Sequence, residues 1–300
     1  MKYVFVVNPT AGGRDSTAII ENKLRAFPEV DTELIVSWNP DDPTKIVKAW
    51  CSIRKEEVCF VACGGDGTLH DVVNGAYGYD FARVGCYPCG SGNDFVKYYG
   101  GADRFTDLSR LFNEEAKTVN VDLIRTGDKY AINACHFGFD SAVARMVPKL
   151  KVKPYITSRF AYPVAVALAL VNSMRSRVML TVDGEVFYDG DILLCTIANG
   201  THVGGSYKCA PRSQNDDGLV EVCLVKPVSR RKFMKLMPLY REGRHLDDPD
   251  FRDIILYTRA REILIETEAD FPVVLDGEVV TIRRLEVGVE KKALPFVVPK

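Results

Sequence analysis

The strongest chemical signal in the chain is Cys63-Gly64-Gly65-Asp66-Gly67-Thr68. An unbroken apolar run, Val58 to Cys63, leads into it, and Leu69, Val72, Val73 and Ala76 leave it at helical spacing. The run reads as a strand buried on both faces and the periodic segment as a helix, so the glycines form a strand-to-helix turn. Glycine there permits φ > 0 and lets backbone N–H groups approach a ligand closely. The helix behind it offers unpaired N–H groups and the positive end of its dipole, which suits phosphate. Asp66 puts an anion where phosphate would lie, which makes chemical sense with a divalent cation such as Mg²⁺ between the two. A ligand-free tight turn uses similar residues, but three glycines in four positions after a buried strand favour a binding turn. The turn lacks the Lys of a P-loop and the spacing of a Rossmann fingerprint.

Two further turns carry donors: Asn8-Pro9-Thr10-Ala11-Gly12-Gly13 and Gly90-Ser91-Gly92-Asn93-Asp94. Each follows an apolar strand pattern. Asp-Gly-Glu occurs twice, at 183–185 and 276–278. A carboxylate can take the proton of an attacking hydroxyl, but spacing alone does not choose between the two copies. His136 and His202 are weaker candidates, expected to make local hydrogen bonds. Cys86 and Cys89 have metal-like spacing without a second pair, which argues against zinc.

The elements that must position these turns differ between the halves of the chain. Up to about residue 118, strands (Tyr3 to Val7, Glu33 to Trp38, Val58 to Cys63, Val84 to Tyr87) alternate with helices, the second of which opens at Asp42-Pro43. This implies βαβ units, a mostly parallel sheet, and ligand turns gathered at the C-terminal ends of its strands. Beyond it come short strands with hairpin signals at Thr126-Gly127-Asp128 and Asp276-Gly277-Glu278, interrupted by helical stretches at Phe160 to Met174 and Arg230 to Tyr240. That half reads as an antiparallel sandwich or barrel, and the default site is a cleft between two domains.

Composition narrows the function classes. The 300 residues are 47% apolar and 26% charged, with a net charge of −1, so nothing global points to nucleic acid. No signal peptide is evident, and no apolar run reaches the roughly 18 residues that span a membrane. The nine cysteines, several inside apolar strands, read as reduced thiols of a cytosolic protein.

Asn8-Pro9-Thr10-Ala11-Gly12, Gly64-Gly65-Asp66-Gly67-Thr68, Gly90-Ser91-Gly92-Asn93-Asp94-Phe95 and Asp276-Gly277-Glu278, in this order, resemble the diacylglycerol kinase catalytic-domain family, which includes bacterial soluble lipid kinases and has sphingosine and ceramide kinases as eukaryotic relatives. Asn133 to Asp140 and Ala210-Pro211 through Asp217-Gly218-Leu219 extend the likeness along nearly the whole chain. The resemblance implies a doubly wound α/β domain of the NAD kinase/phosphofructokinase-like type at 1–124, completed by about 291–300, and a C-terminal antiparallel β-sandwich domain for the lipid at 125–290. It implies ATP-dependent phosphorylation of a lipid hydroxyl. Nucleotide contacts would fall on Asn8, Thr10, Ala11, Gly12, Ser37, Gly64, Gly65, Gly67, Thr68, Ser91, Asn93 and Asp94, with Asp66 on the catalytic Mg²⁺. A structural Mg²⁺ or Ca²⁺ would take the Asp217 side chain and the carbonyls of Gln214 and Leu219. Of the two Asp-Gly-Glu turns the resemblance picks the second; within it Asp276 or Glu278 takes the proton while the other supports the metal or the geometry, and Glu278 with Asp276 beside it is the preferred arrangement. Lys97 and Ala11 depart from the Arg and Ser common in the family, changing donor geometry without removing the chemistry.

A lipid substrate implies a cytoplasmic protein that works peripherally at the inner membrane face. Lys149 to Lys153, Arg159, the apolar run Ala161 to Val171, Arg175 and Arg177 form a basic-flanked helix that can lie at an anionic interface; a helix buried against the second domain has the same pattern. The acceptor is open among diacylglycerol, phosphatidylglycerol and a sphingoid base, and a homodimer is compatible with the sequence. Two rivals are a dinucleotide (NAD) kinase, which shares the Gly-Gly-Asp-Gly-Thr turn but lacks Gly-Ser-Gly-Asn-Asp-Phe, and a non-catalytic nucleotide- or lipid-binding regulator, which the intact Asp66, Asp276 and Glu278 argue against.

Overall fold

The structure is a computed structural model and describes residues 1–39, 42–152 and 158–300. The chain divides into two units, Met1–Leu123 with Glu290–Lys300, and Ile124–Val289.

The first unit alternates strand and helix: β1 (Lys2–Val7), α1 (Thr17–Leu24), β2 (Thr32–Val36), α2 (Asp42–Ile53), β3 (Val58–Gly64), α3 (Asp66–Ala76), β4 (Ala82–Pro88), α4 (Ala102–Thr106) and α5 (Leu108–Leu111). The strands lie parallel in the order β2-β1-β3-β4, and Phe296 of the C-terminal segment pairs parallel with Val84. Every residue of β3 is buried, as its apolar run requires. The register aligns Val7 with Val36 and with Cys63, and Gly64 with Pro88, so the turns that follow β1, β3 and β4 leave from one edge. Phe5, Val61, Ile20, Leu108 and Leu111 share one core cluster. Phe60 meets Trp50 of α2 edge-to-face at 5.2 Å. Gly75 lets α3 approach α2, since a Cβ there would lie 2.6 Å from Cβ of Val47.

The chain enters the second unit within β5 (Lys117–Thr126), which forms a hairpin with β6 (Lys129–Ala131) across Gly127-Asp128. Then follow β7 (Ala134–Gly138), α6 (Phe139–Lys151), α7 (Ser158–Asn172), β8 (Ser176–Val182), β9 (Glu185–Ile192), β10 (Leu194–Ala198), β11 (Val220–Val225), α8 (Arg230–Glu242), β12 (Ile255–Ala260), β13 (Glu262–Leu275) and β14 (Glu278–Val298). The pairs β5–β6, β7–β10, β10–β11, β11–β12, β13–β14, β13–β7, β13–β8 and β8–β9 are antiparallel. β13 serves two leaves. Before an irregularity between Glu266 and Phe271 it pairs with β8; after it, with β7, which continues through β10 and β11 to β12. Val178, Leu180 and Ile192 of one leaf and Phe137, Cys195 and Val222 of the other belong to one buried cluster, the core of a sandwich. A second cluster seats α6, α7 and α8 through Phe139, Val143, Ala165, Ala169, Phe233 and Leu236.

The second unit departs from sequence expectation in two elements. α6 occupies a stretch with no predicted helix, because Gly138 before it and Pro148 within it read as breakers. β9 lies in a stretch with no predicted strand; it forms because Asp183-Gly184 closes a hairpin that pairs it with β8. All nine cysteines are free thiols, eight buried and Cys89 partly exposed. Burial pushes the Cys59 thiol up to about 12 and raises Cys51, Cys63, Cys86, Cys89, Cys135, Cys195 and Cys223 as well.

Candidate active site

The three turns at the β1, β3 and β4 ends of the first unit pack on one another through bare backbone. A Cβ on Gly12 would lie 2.2 Å from the carbonyl oxygen of Cys89, one on Gly90 would lie 2.3 Å from Cα of Gly65, and one on Gly92 would lie 2.5 Å from Oδ2 of Asp66. Cys89 and Gly90 both donate their N–H groups to the carbonyl of Gly64. Asp66 begins α3 and is half-buried, and its Oδ1 accepts the Asp94 N–H at 2.6 Å. The amides of Asp66, Gly67 and Thr68 precede the first intrahelical bond, Leu69 N–H to Gly65 O, and point along the positive end of the helix dipole. Such an edge supplies backbone donors and a carboxylate.

The reason for glycine at 64, 65 and 67 differs from the sequence expectation. None of the three has positive φ; those values belong to Gly12 (64°) and Gly13 (73°) in the first turn. Gly65 is extended (φ −95°, ψ −164°), and what it provides is proximity to Gly90. Gly90→Ala should therefore drive the β3 and β4 turns apart. The expected outcome is at least a tenfold rise in the ATP dissociation constant, read by calorimetry, about the 1.4 kcal/mol that one misplaced turn would cost. Unchanged affinity would show that the junction does not shape the nucleotide site.

Several residues expected to touch nucleotide also build the turns. Asn8 Oδ1 accepts from the Thr10 N–H (3.0 Å) and hydroxyl (2.8 Å), while its amide donates to Thr68 Oγ1 at 3.3 Å. Asn93, with φ 52°, clamps Gly90 from both sides, accepting its N–H and donating to its carbonyl. Thr68 is buried beneath Gly64. Ser37 is buried at the same edge and donates its backbone N–H to Val7 O. Thr10, Gly12 and Ser91 are exposed and Ala11 partly so. Asp94 is buried and its Oδ1 pairs with Lys97 Nζ at 2.6 Å, while the same ammonium donates to Gly92 O. Lys97 is thus a strut under the third turn.

In the second unit, both Asp-Gly-Glu segments are two-residue hairpins with positive φ at Asp and Gly, at 183–184 and at 276–277. Their settings differ. Asp276 is 4% exposed, and its carboxylate accepts three consecutive backbone N–H groups, from Ile132 (2.7 Å), Asn133 (3.0 Å) and Ala134 (2.9 Å). Its own N–H donates to Ala134 O. Glu278, two residues on, is exposed. Asp183 accepts two N–H groups, from Arg261 and Glu262, at an exposed position. Sequence reading missed the amide cradle at 132–134, because backbone donors leave no residue-type signature. His136 lies on β7 opposite Val274 with Nδ1 2.7 Å from Asp140 Oδ2, an ion-pair contact, and His202 Nδ1 meets Thr201 Oγ1 at 2.8 Å, the local hydrogen bond expected of it.

The donors at each expected metal position decide whether a cation fits. Among the described residues, no group of three or more His, Cys, Asp or Glu side chains is placed to hold a metal. Mg²⁺ needs no such group where phosphates supply most of its oxygens, and Asp66, facing the gap at Gly92, fits that role. The second-unit position does not fit. Asp217 accepts the Leu219 N–H on Oδ1 (3.0 Å) and a guanidinium N–H of Arg259 on Oδ2, and Gln214 is exposed. A cation already occupies the carboxylate expected to bind one.

Two protein-family models match the chain end to end: the diacylglycerol kinase catalytic domain over residues 2–125 and the YegS C-terminal NAD kinase beta sandwich-like domain over residues 133–298. The diacylglycerol kinase of Bacillus subtilis (strain 168) is 27% identical over 280 residues, 91% of this chain and 88% of that protein. The diacylglycerol kinase of Staphylococcus carnosus (strain TM300) is 25% identical over 278 residues, 91% of this chain and 87% of its own. A crystal structure of a diacylglycerol kinase from Bacillus anthracis str. Sterne superposes with a TM-score of 0.70 at 21% identity, covering 100% of this chain and 97% of that one, a likeness of fold.

Proposed function

The chain belongs to the family in which a diacylglycerol kinase catalytic domain precedes a YegS C-terminal NAD kinase beta sandwich-like domain, and is an ATP-dependent lipid kinase; on that premise we propose that it phosphorylates the hydroxyl of diacylglycerol or a closely related lipid, as a step of phospholipid metabolism. The observation that carries the site assignment is the packing of three strand-end turns around Asp66. In phosphoryl transfer the protein mainly positions groups and stabilises charge. Backbone amides at the start of α3 and the exposed residues Thr10, Ala11, Gly12 and Ser91 would line the nucleotide phosphates, with Ser37, Asn8, Asn93 and Lys97 fixing the edge. Asp66 would hold a Mg²⁺ ion, which would supply positive charge against the phosphates. Glu278 would accept the proton of the lipid hydroxyl, and Asp276 would hold the turn that carries it.

The test is transfer of labelled phosphate from ATP to micelles containing diacylglycerol, phosphatidylglycerol or a sphingoid base, with NAD as control. Mg²⁺-dependent labelling of diacylglycerol is expected. Labelling of NAD alone, or of nothing, would overturn the assignment.

A lipid substrate would bring the protein peripherally to the inner face of a membrane, and α7 suits that contact. Ala161, Ala165 and Ala169 are fully buried on one side of the helix, while Phe160, Leu168 and Val171 are 57%, 40% and 65% exposed on others. The helix is therefore half core, half open apolar surface. Basic Arg175, Arg177 and Arg230 lie close by, the last donating to Leu170 O. Lys153 lies outside the described residues, as do the side chains of Lys151 and Arg159. Among the described residues no helix is long and apolar enough to cross a membrane. Changing Phe160, Leu168 and Val171 together to Ser should weaken binding to anionic vesicles at least tenfold in a sedimentation assay, since each large apolar group buried is worth about 1.5–3 kcal/mol when burial is complete. Equal vesicle binding would remove α7 from the interface.

A further inference from the structure

The misfit between Asp217 and a metal ion has a specific cause. Glu221 on β11 and Arg259 on β12 are register partners in an antiparallel ladder, so the sheet itself fixes where the guanidinium lies. Glu221 is only 1% exposed, and Arg259 Nε donates to its Oε1 at 2.9 Å. A buried carboxylate needs such a partner to remain charged, so the guanidinium cannot leave without stranding Glu221. From that position Arg259 Nη2 also donates to Asp217 Oδ2, while the other Asp217 oxygen is taken by the Leu219 N–H. The two acids hold the Arg259 titration above its ordinary value, the Asp217 hydrogen bond first. A divalent ion at Asp217 would lie beside a fixed positive charge.

The clasp also reaches the Asp276 turn. Within the loop that Asp217 closes, Ser213 Oγ donates to Asn199 O at 2.7 Å; Asn199 Nδ2 donates to Ile132 O at 2.8 Å; and Ile132 N–H is one of the three donors to Asp276. Each link is a hydrogen bond between buried groups, so a displaced loop would be felt at the cradle.

We propose that Arg259 is the resident cation of the 213–219 loop: its guanidinium, anchored by Glu221, neutralises Asp217 in place of a metal ion and makes the second unit's fold independent of divalent cations.

Nucleotide-free full-length protein is the material for the test, in the Asp66→Asn background so that cation binding at the first unit is removed. Melting temperature is measured with EDTA and with millimolar Mg²⁺ or Ca²⁺, and Ca²⁺ binding by equilibrium dialysis. Protein with Arg259 intact should melt at the same temperature in all three conditions and retain no Ca²⁺, and Arg259→Met should melt several degrees lower. A cation-dependent melting temperature or stoichiometric Ca²⁺ that Asp217→Asn abolishes would overturn the proposal, and so would an Arg259→Met protein as stable as its parent. Should Arg259→Met fail to fold, the dialysis of the parent and of Asp217→Asn still decides whether a metal occupies the loop.

Discussion

Asp66→Asn should lower Mg²⁺-dependent phosphoryl transfer by about 10²–10³-fold or more, the range for losing a group that meets developing charge, and leave the melting temperature within a few degrees of its original value. The substitution is chosen for what it keeps. Asn retains an oxygen for the Asp94 N–H, now 2.6 Å from Oδ1, and nearly the same volume against Gly92. What it removes is the charge that a cation would use. Asp94, whose N–H Asp66 accepts, is no substitute, because it is buried and engaged by Lys97. Initial rates against Mg²⁺ concentration at fixed lipid, with nucleotide affinity measured without Mg²⁺, separate metal use from nucleotide binding. A variant with unchanged turnover and unchanged Mg²⁺ dependence would take Asp66 out of the mechanism.

Much of this was legible before any coordinates, and the exceptions share a cause. The buried run Val58 to Cys63, its glycine turn and the helix after it are local features, in which neighbours in sequence are neighbours in space. The convergence of three turns follows from strands being parallel and in register, which the βαβ pattern implies. Both Asp-Gly hairpins were also readable from their dipeptides. Long-range partnerships were not. Nothing at Asn93 in the sequence says that its side chain spends both ends on Gly90, and nothing at Asp276 says that three amides from about 140 residues earlier receive it. Asp217 is the sharpest case. The resemblance assigns Asp217 a metal ion, and nothing local says otherwise until Arg259, 42 residues away, is found on its carboxylate. Acidic residues advertise a demand for positive charge; they do not say whether a metal or a guanidinium meets it.

Glu278→Gln should reduce turnover by roughly 10²–10⁴-fold, the range for losing a general base, with ATP affinity and melting temperature little changed. The structure separates the two acids of this turn in a way spacing could not. Asp276 is enclosed, and three N–H groups already use its oxygens. Replacing it with Asn would turn an NH₂ group toward donors and leave some unpaired, so Asp276→Asn should lower stability as well as rate. Glu278 is exposed and makes no such demand on the fold. The two variants should therefore differ in kind: one loses rate alone, the other loses rate and several degrees of melting temperature. Their combination should cost far less than the product of the single effects, since residues that act as a unit are not additive. Asp183→Asn and Glu185→Gln form the internal control, the same tripeptide with the same backbone signs on the β8–β9 hairpin. Rates against lipid concentration for all four single variants, with circular dichroism and melting curves, distinguish the outcomes. Loss of activity at 183–185 with retention at 276–278 would mean the wrong turn carries the base; full activity in all four would place the proton acceptor outside both hairpins.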